Sequence, residues 1–149
     1  MSVNGYKVEW SNDSDRILNF LRQVDSDFYD PLSERVNLFD YAKKLSDKAK
    51  NLFLVAEEQV DVAHFAFYLN EQQKSLFITS ISIKKVFQGI GLGSYLLTAL
   101  KRYARDTNYR LIELEVDSRS QSLIHFYKKN EFVEQTRNGN ILSLQYRLP

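Results

Sequence analysis

Cysteine is absent from the 149 residues of this sequence. A disulfide scaffold, a thiolate metal site and a covalent cysteine intermediate are therefore excluded. The two histidines, His64 and His125, are widely separated and match no metal-binding spacing, so we predict no metal. A chain without cysteine fits a reducing compartment, and we predict a cytoplasmic location.

Long apolar runs and an excess of one charge are also missing. No stretch reaches the length of a membrane-spanning helix, and residues 1–10 lack the apolar core of a signal peptide. We therefore expect a protein that is neither exported nor inserted into a membrane. Lysine and arginine total 20 against 19 acidic residues, and the net charge of +1 offers no general attraction to nucleic acid or anionic lipid. Neither is predicted as a partner.

The composition that remains is that of a packed globular protein. Hydrophobic residues make up 44% of the chain and charged residues 26%. The length fits one ordinary domain, so we expect a single domain over residues 1–149.

Four segments carry apolar residues at helical spacing. Ser14 or Asp15 is available to cap the first of them, and Pro31 disfavours helix at Asp30. The predicted helices cover residues 16–24, about 38–48, 91 to near 108, and 120–129.

Strand-like runs occupy much of the remaining sequence. Residues 51–56, 62–69 and 76–83 are separated by short polar segments, which predicts an antiparallel meander. Residues 76–116 have the order and length of a strand–helix–strand crossover, so the strand at 111–116 should pair in parallel with the strand at 76–83. Asn138-Gly139 predicts a terminal hairpin. The expected fold class is α+β (mixed α/β), a central mixed sheet flanked by about four helices.

Three of the five glycines fall in one short segment, Gln88-Gly89-Ile90-Gly91-Leu92-Gly93, between a predicted strand and a predicted helix. Glycines allow a tight turn with bare N–H groups, and the positive end of a helix dipole favours an anion such as pyrophosphate. A glycine-rich turn that binds no ligand is the alternative.

Two familiar phosphate-binding patterns do not match this segment. The Walker loop requires Gly-Lys-Ser/Thr, and the dinucleotide fingerprint requires a third glycine where this chain has Ser94. The pattern Gln/Arg-x-x-Gly-x-Gly/Ala after a strand is met by Gln88, Gly91 and Gly93. Here the chain resembles the GNAT superfamily of N-acetyltransferases, over most of its length and most sharply over residues 80–127.

The resemblance implies an acetyl-coenzyme A site between two splayed parallel strands, the pair called β4 and β5 in that family. Ile81 and Ile83 match the strand positions that pair with the pantetheine arm, and Ser120 matches a position that often carries asparagine. The pyrophosphate would be held by the Gln88 side chain and by the backbone amides of Gly89, Ile90, Gly91, Leu92, Gly93 and Ser94.

The resemblance also implies two catalytic roles. Tyr127 matches the family tyrosine that faces the coenzyme sulfur and acts as general acid, and its alternative is a core aromatic beside Leu123 and Ile124. Glu113 and Glu115 alternate with apolar residues, so both should lie on one side of a strand. Glu115 matches a glutamate that acts as a base through water, and its alternative is a carboxylate satisfied by backbone donors or by solvent.

Two departures from the family pattern occur near Tyr127. The family often has a small residue at the position of Leu123, and a Gly-Phe pair where this chain has Glu131-Phe132. We expect Asn130 to adopt the left-handed conformation that ends the helix.

The acceptor side should be formed by the loop at 28–36, the second helix with Phe39 and Tyr41, and the final hairpin. These regions leave a small amine, an amino sugar and a peptide N-terminus open as acceptors. The predicted function is acetyl transfer from acetyl-coenzyme A, as acyl-donor cosubstrate, to a primary amine by direct attack in a ternary complex. A non-catalytic acyl-coenzyme A-binding or sensing module and a phosphate-binding scaffold are the alternatives. Sheet edges could pair two copies into a homodimer.

Overall fold

The computed structural model describes residues 2–3, 5–27 and 31–149. The chain forms two compact units, which we call the first unit (Met1–Phe67 and Ser80–Leu96) and the second unit (Tyr68–Thr79 and Leu97–Pro149). Two strands and one helix contribute residues to both units.

The described part of the chain has four α-helices, which lie close to their predicted positions. They are α1 (Ser14–Val24), α2 (Leu38–Lys48), α3 (Leu92–Asp106) and α4 (Gln121–Lys129). Short 3-10 helices cover Asp25–Asp27, Leu32–Glu34 and Lys85–Phe87. Within the described ranges, no helix has the length and apolar character needed to cross a membrane.

Eight strands of the described residues form one mixed sheet in the order β1-β2-β3-β4-β5-β6-β8-β7. They are β1 (Ser2–Val3), β2 (Tyr6–Trp10), β3 (Lys50–Val55), β4 (Asp61–Asn70), β5 (Ser75–Ile83), β6 (Leu111–Asp117), β7 (Val133–Asn138) and β8 (Ile141–Arg147). The predicted meander is β3, β4 and β5: β3 and β4 pair antiparallel, and residues 71–74 are too short a connection for anything but an antiparallel β4–β5 turn. The predicted mixed α/β class is confirmed.

The predicted parallel pair is β5 with β6. The pairing runs from Ser75 opposite Leu111 to Ile78 opposite Leu114. Both strands continue beyond the paired segment, β5 to Ile83 and β6 to Asp117. The terminal hairpin is also confirmed, with β7 and β8 paired antiparallel.

Helix α1 begins at Ser14, and its N-terminal cap is Asp13 rather than Ser14 or Asp15. The Asp13 carboxylate accepts the backbone N–H groups of Asp15 at 2.9 Å and Arg16 at 3.4 Å, which satisfies donors that have no partner inside the helix. The prediction of Ser14 or Asp15 as cap was therefore wrong, because Ser14 is already the first helical residue. The buried face of α1 consists of Ile17, Leu18, Phe20, Leu21 and Val24.

The two amino-terminal strands were not predicted. β2 pairs antiparallel with β3, with Lys7 opposite Val55. The Trp10 ring packs edge-on against Phe67 with 5.9 Å between centroids. The alternation of Tyr6, Val8 and Trp10 with two charged residues was the available signal for a strand.

Candidate functional site

The glycine segment forms a turn between the end of β5 and the start of α3. Gly89 has φ +81° and Gly91 has φ +89°, a conformation that side-chain-bearing residues rarely adopt. A Cβ atom added at either glycine would meet nothing within 4 Å. The glycines are therefore required by the backbone conformation, and the space above them is open.

Among the described residues, no backbone hydrogen bond of standard geometry outside the regular helices and strands is donated by residues 89–93. At the start of the helix, the Tyr95 N–H donates to the Gly91 carbonyl at 3.0 Å. Free N–H groups at the positive end of a 15-residue helix suit an anion such as a pyrophosphate.

Several contacts within the first unit anchor this turn. Gln88 Nε2 donates to the Ile83 carbonyl at 2.9 Å, and the Lys84 N–H donates to the Val62 carbonyl at 3.0 Å. The Phe87 ring packs edge-on against Tyr6 at 6.4 Å. The predicted pantetheine positions Ile81 and Ile83 are half-buried, whereas the residues from Gln88 to Gly91 are exposed.

Tyr127 lies on α4 in the second unit and is 1% exposed. Its ring packs against Phe126 at 5.1 Å and against Phe132 at 5.4 Å between centroids. Burial raises the pKa of the Tyr127 phenol above its ordinary value, so the hydroxyl keeps its proton across the neutral range.

Glu113 and Glu115 lie on the same face of β6, as predicted, because Ile112, Leu114 and Val116 on the other face are buried. Glu113 stands between Phe77 on β5 and Gln145 on β8, and Glu115 is opposite Ser143. Neither glutamate takes part in the ion pairs found among the described residues. Within that part of the chain, the two carboxylates are therefore not neutralised by a cation.

Two open cavities lie on this face of the second unit. The first, of about 260 Å³, contains both glutamates and the Phe77 ring. The second, of about 690 Å³, is lined by Tyr68 and also by Phe77 and Glu113. The described residues that line these two cavities include no lysine, arginine or histidine. Phe77 was not predicted as a site residue. The available signal was its position between Leu76 and Ile78, which are buried on the opposite face of β5.

A profile of the acetyltransferase (GNAT) family matches residues 15–132, which is more than three quarters of the chain. The chain belongs to the acetyltransferase (GNAT) family. It is therefore an acyltransferase, and the family as a whole uses acyl-coenzyme A donors and amine acceptors. The resemblance drawn from Gln88, Gly91 and Gly93 is confirmed.

Solved structures agree with a GNAT fold. A GNAT-family protein from Desulfovibrio desulfuricans has a TM-score of 0.81 at 16% identity, with 97% of this chain and 99% of that chain covered. A GNAT acetyltransferase from Staphylococcus aureus Mu50 has a TM-score of 0.77 at 13% identity, with coverage of 97% and 99%. A point mutant of spermidine N-acetyltransferase from Vibrio cholerae has a TM-score of 0.78 at 14% identity, with coverage of 98% and 95%. At these identities the likeness shows the fold.

The departure from the GNAT pattern after Tyr127 has a structural explanation. Asn130 has φ −92°, so the expectation that it would be left-handed was wrong. Glu131 has φ +75° and occupies the left-handed position instead, at the place where the family often has glycine. The Glu131 N–H donates to the Lys128 carbonyl at 3.0 Å and the Phe132 N–H to the Tyr127 carbonyl at 3.0 Å, which close the helix end.

The remaining predicted residues are placed in different parts of the chain. Ser120 precedes α4, where its N–H donates to the Asp117 carbonyl at 2.9 Å. Phe39 is 58% exposed at the start of α2, and Tyr41 is half-buried. Residues 28–30 of the predicted acceptor loop lie outside the described residues. The coenzyme positions at 81–94 belong to the first unit, and Ser120, Glu115 and Tyr127 belong to the second.

Proposed function

We propose that this protein transfers the acetyl group of acetyl-coenzyme A to a primary amine by direct attack in a ternary complex. The observation that carries the proposal is the turn of residues 89–93, whose free amides and open space suit the pyrophosphate of the coenzyme. The chain has no cysteine that could carry the acetyl group covalently.

The coenzyme would be held by residues of β5 and of the turn. In this proposal the backbone at Ile81 and Ile83 pairs with the pantetheine arm, and Ser120 contacts it near α4. The pyrophosphate is bound by the Gln88 side chain and by the amides of Gly89, Ile90, Gly91, Leu92, Gly93 and Ser94. The thioester supplies the activated acetyl group, and the protein supplies binding, orientation and proton transfer.

Tyr127 is proposed as the general acid. Transfer from a thioester leaves a thiolate that needs a proton. The raised pKa of Tyr127 keeps its hydroxyl protonated, and the packing of its ring against Phe126 and Phe132 restricts the side chain. A fixed, protonated phenol is suited to this role.

Glu115 is proposed as the base that removes a proton from the attacking amine through water. Its side chain is exposed on the face of β6 that carries the cavities, where water has access. The acceptor amine would approach from this face, where Glu113 and Glu115 favour a cationic molecule and Phe77 offers an aromatic surface. A spermidine acetyltransferase among the similar structures is compatible with such an acceptor, and amino sugars and peptide N-termini also carry amines.

A homodimer and a cytoplasmic location stay predictions. One of the similar structures, spermidine N-acetyltransferase from Vibrio cholerae, is dodecameric. Size-exclusion chromatography with light scattering would measure the assembly of this chain directly.

The activity can be tested by thiol release from acetyl-coenzyme A. Because the protein has no cysteine, a thiol reagent detects only the released coenzyme. We expect release with at least one member of a panel containing a diamine, an amino sugar and a dipeptide, and a loss of about 10²-fold in kcat for Tyr127→Phe. Tyr109→Phe is the matched control, because Tyr109 is also buried in the second unit and donates to Glu71.

Two outcomes would contradict the proposal in different ways. Binding of acetyl-coenzyme A without release for every amine would favour the non-catalytic acyl-coenzyme A-binding module. Release that is equal in wild type and Tyr127→Phe would remove Tyr127 from the mechanism.

A further inference from the structure

Lys101 contacts the end of the helix that carries Tyr127. It lies in the carboxyl-terminal half of α3, and its Nζ donates to the Asn130 carbonyl at 2.6 Å. The same ammonium lies 4.1 Å from the centroid of the Tyr146 ring and 5.9 Å from that of Phe132. All of these residues belong to the second unit.

The Lys101 ammonium is held in one place. The side chain is half-buried, and burial lowers the pKa of Lys101 while the charge of Glu131 partly opposes that shift. A desolvated cation is retained where a carbonyl oxygen and an aromatic face offset the lost hydration. Asn130 is the residue that caps α4, so the ammonium also faces the negative end of the helix dipole.

The two residues that Lys101 contacts at the helix end are the ones that hold Tyr127. The N–H groups of Asn130 and Phe132 both donate to the Tyr127 carbonyl, at 3.1 and 3.0 Å. The Phe132 ring also packs against the Tyr127 ring at 5.4 Å and against Tyr146 at 5.7 Å. Lys101 therefore contacts residues that in turn contact both the backbone and the ring of Tyr127.

We propose that Lys101 is a positioning residue, which fixes the last turn of α4 and through it the ring of Tyr127. The inference rests on the proposed acid role of Tyr127. Lys101 touches no reacting atom in this account. Proton transfer depends steeply on donor position, and a displacement of about 1 Å can cost on the order of 10²-fold in rate.

The matched pair of variants is Lys101→Met and Lys128→Met. Both remove one lysine charge, but Lys128 lies on the exposed side of α4 and only approaches Glu134 at 3.9 Å. We expect Lys101→Met to lower kcat by about 10-fold or more with little change in KM for acetyl-coenzyme A, and Lys128→Met to leave kcat unchanged. Lys101→Arg, which keeps the charge and the donor, should recover most of the lost kcat.

Measurements of folding and of the Tyr127 environment separate positioning from a general loss of stability. Thermal unfolding and circular dichroism establish that each variant is folded at the assay temperature, and kcat is taken per coenzyme-binding site. Fluorine NMR of protein labelled with 3-fluorotyrosine, with the Tyr127 signal assigned by its loss in Tyr127→Phe, should show that signal shifted or broadened in Lys101→Met alone. If Lys101→Met does not fold, Tyr146→Leu removes the aromatic contact and should give a smaller change in the same direction.

The failures are distinguishable. If Tyr127→Phe keeps the wild-type kcat, the proposed acid role of Tyr127 is contradicted, and so is the positioning role of Lys101 that rests on it. If Tyr127→Phe loses kcat while Lys101→Met keeps both kcat and the Tyr127 signal, the acid role stands and the positioning role of Lys101 is overturned.

Discussion

His64 Nε2 lies 2.9 Å from Asn51 Oδ1, and both side chains are completely buried in the first unit. The Asn51 amide donates through Nδ2 to the Leu45 carbonyl at 2.9 Å, so its oxygen is the acceptor and His64 Nε2 carries a proton. His64 Nδ1 has no hydrogen-bond partner among the described residues. The imidazole is therefore held in its neutral form.

We predict that this buried histidine makes the protein less stable below neutral pH. Burial, and to a lesser extent the charge of Arg16, lower the pKa of His64 to about 3. In the unfolded chain His64 binds a proton near pH 6.5. The contribution of the neutral His64 to the unfolding free energy is therefore fully present above that pH, and it is lost progressively as the pH decreases toward 3. About 2 kcal/mol of unfolding free energy should be lost between pH 8 and pH 5, measured by urea denaturation.

The prediction is tested with His64→Gln, and His125→Gln is the control. His125 is exposed, so its replacement should leave the slope of stability against pH intact, whereas His64→Gln should flatten it. A wild-type protein with equal stability at pH 8 and pH 5 would contradict the assignment of a neutral buried imidazole.

Glu131→Gly should stabilise the protein, although it removes a side chain. Glu131 holds φ +75°, where a Cβ atom costs about 1 kcal/mol relative to glycine. Part of the gain is offset by the greater freedom of glycine in the unfolded chain, so we expect a net increase of about 0.5 kcal/mol in unfolding free energy. Asn130→Gly is the control: Asn130 has φ −92° and should lose stability. Stabilisation by Asn130→Gly and not by Glu131→Gly would contradict this account of the helix end.

Glu115→Gln should lower kcat by about 10²-fold at pH 7, if Glu115 is the base for the attacking amine. The deficit should shrink as the pH approaches the pKa of the amine, because the free amine is then present without help from the enzyme. Glu134→Gln serves as control, since Glu134 is an exposed carboxylate on β7. A deficit that is constant from pH 7 to pH 10 would indicate a role other than proton removal.

Much of the fold could be predicted because its signals are local. The apolar spacing of α1 and α2, the strand runs of the meander and the Asn138-Gly139 turn each act within a few residues. The amino-terminal strands were missed although Tyr6, Val8 and Trp10 alternate with charged residues, because β2 is only five residues long and so short a pattern is a weak signal. Short strands owe their structure to the neighbour with which they pair.

The candidate site also has features that local sequence predicts and features that it does not. The glycine turn could be predicted because Gly89 and Gly91 act through their own backbone conformation. The position of Phe77 beside Glu113 depends on the register between β5 and β6, and the contact of Lys101 with Asn130 joins residues 29 positions apart. Such relationships are absent from any local pattern. Residue preference alone also predicts the wrong residue at the end of α4. Asparagine is favoured over glutamate in the left-handed conformation, yet Glu131 adopts this conformation and Asn130 does not.

The measurement that tests the central claim most directly is a calorimetric titration of the protein with acetyl-coenzyme A, beside Gly91→Glu and Gly139→Glu. Both glycines have positive φ and open space above Cα, but Gly139 lies in the turn between β7 and β8. We predict binding by wild type and by Gly139→Glu, and none by Gly91→Glu, whose carboxylate would occupy and repel the pyrophosphate position. Folded wild-type protein that does not bind acetyl-coenzyme A, or equal binding by all three proteins, would contradict the assignment of this turn as the coenzyme site.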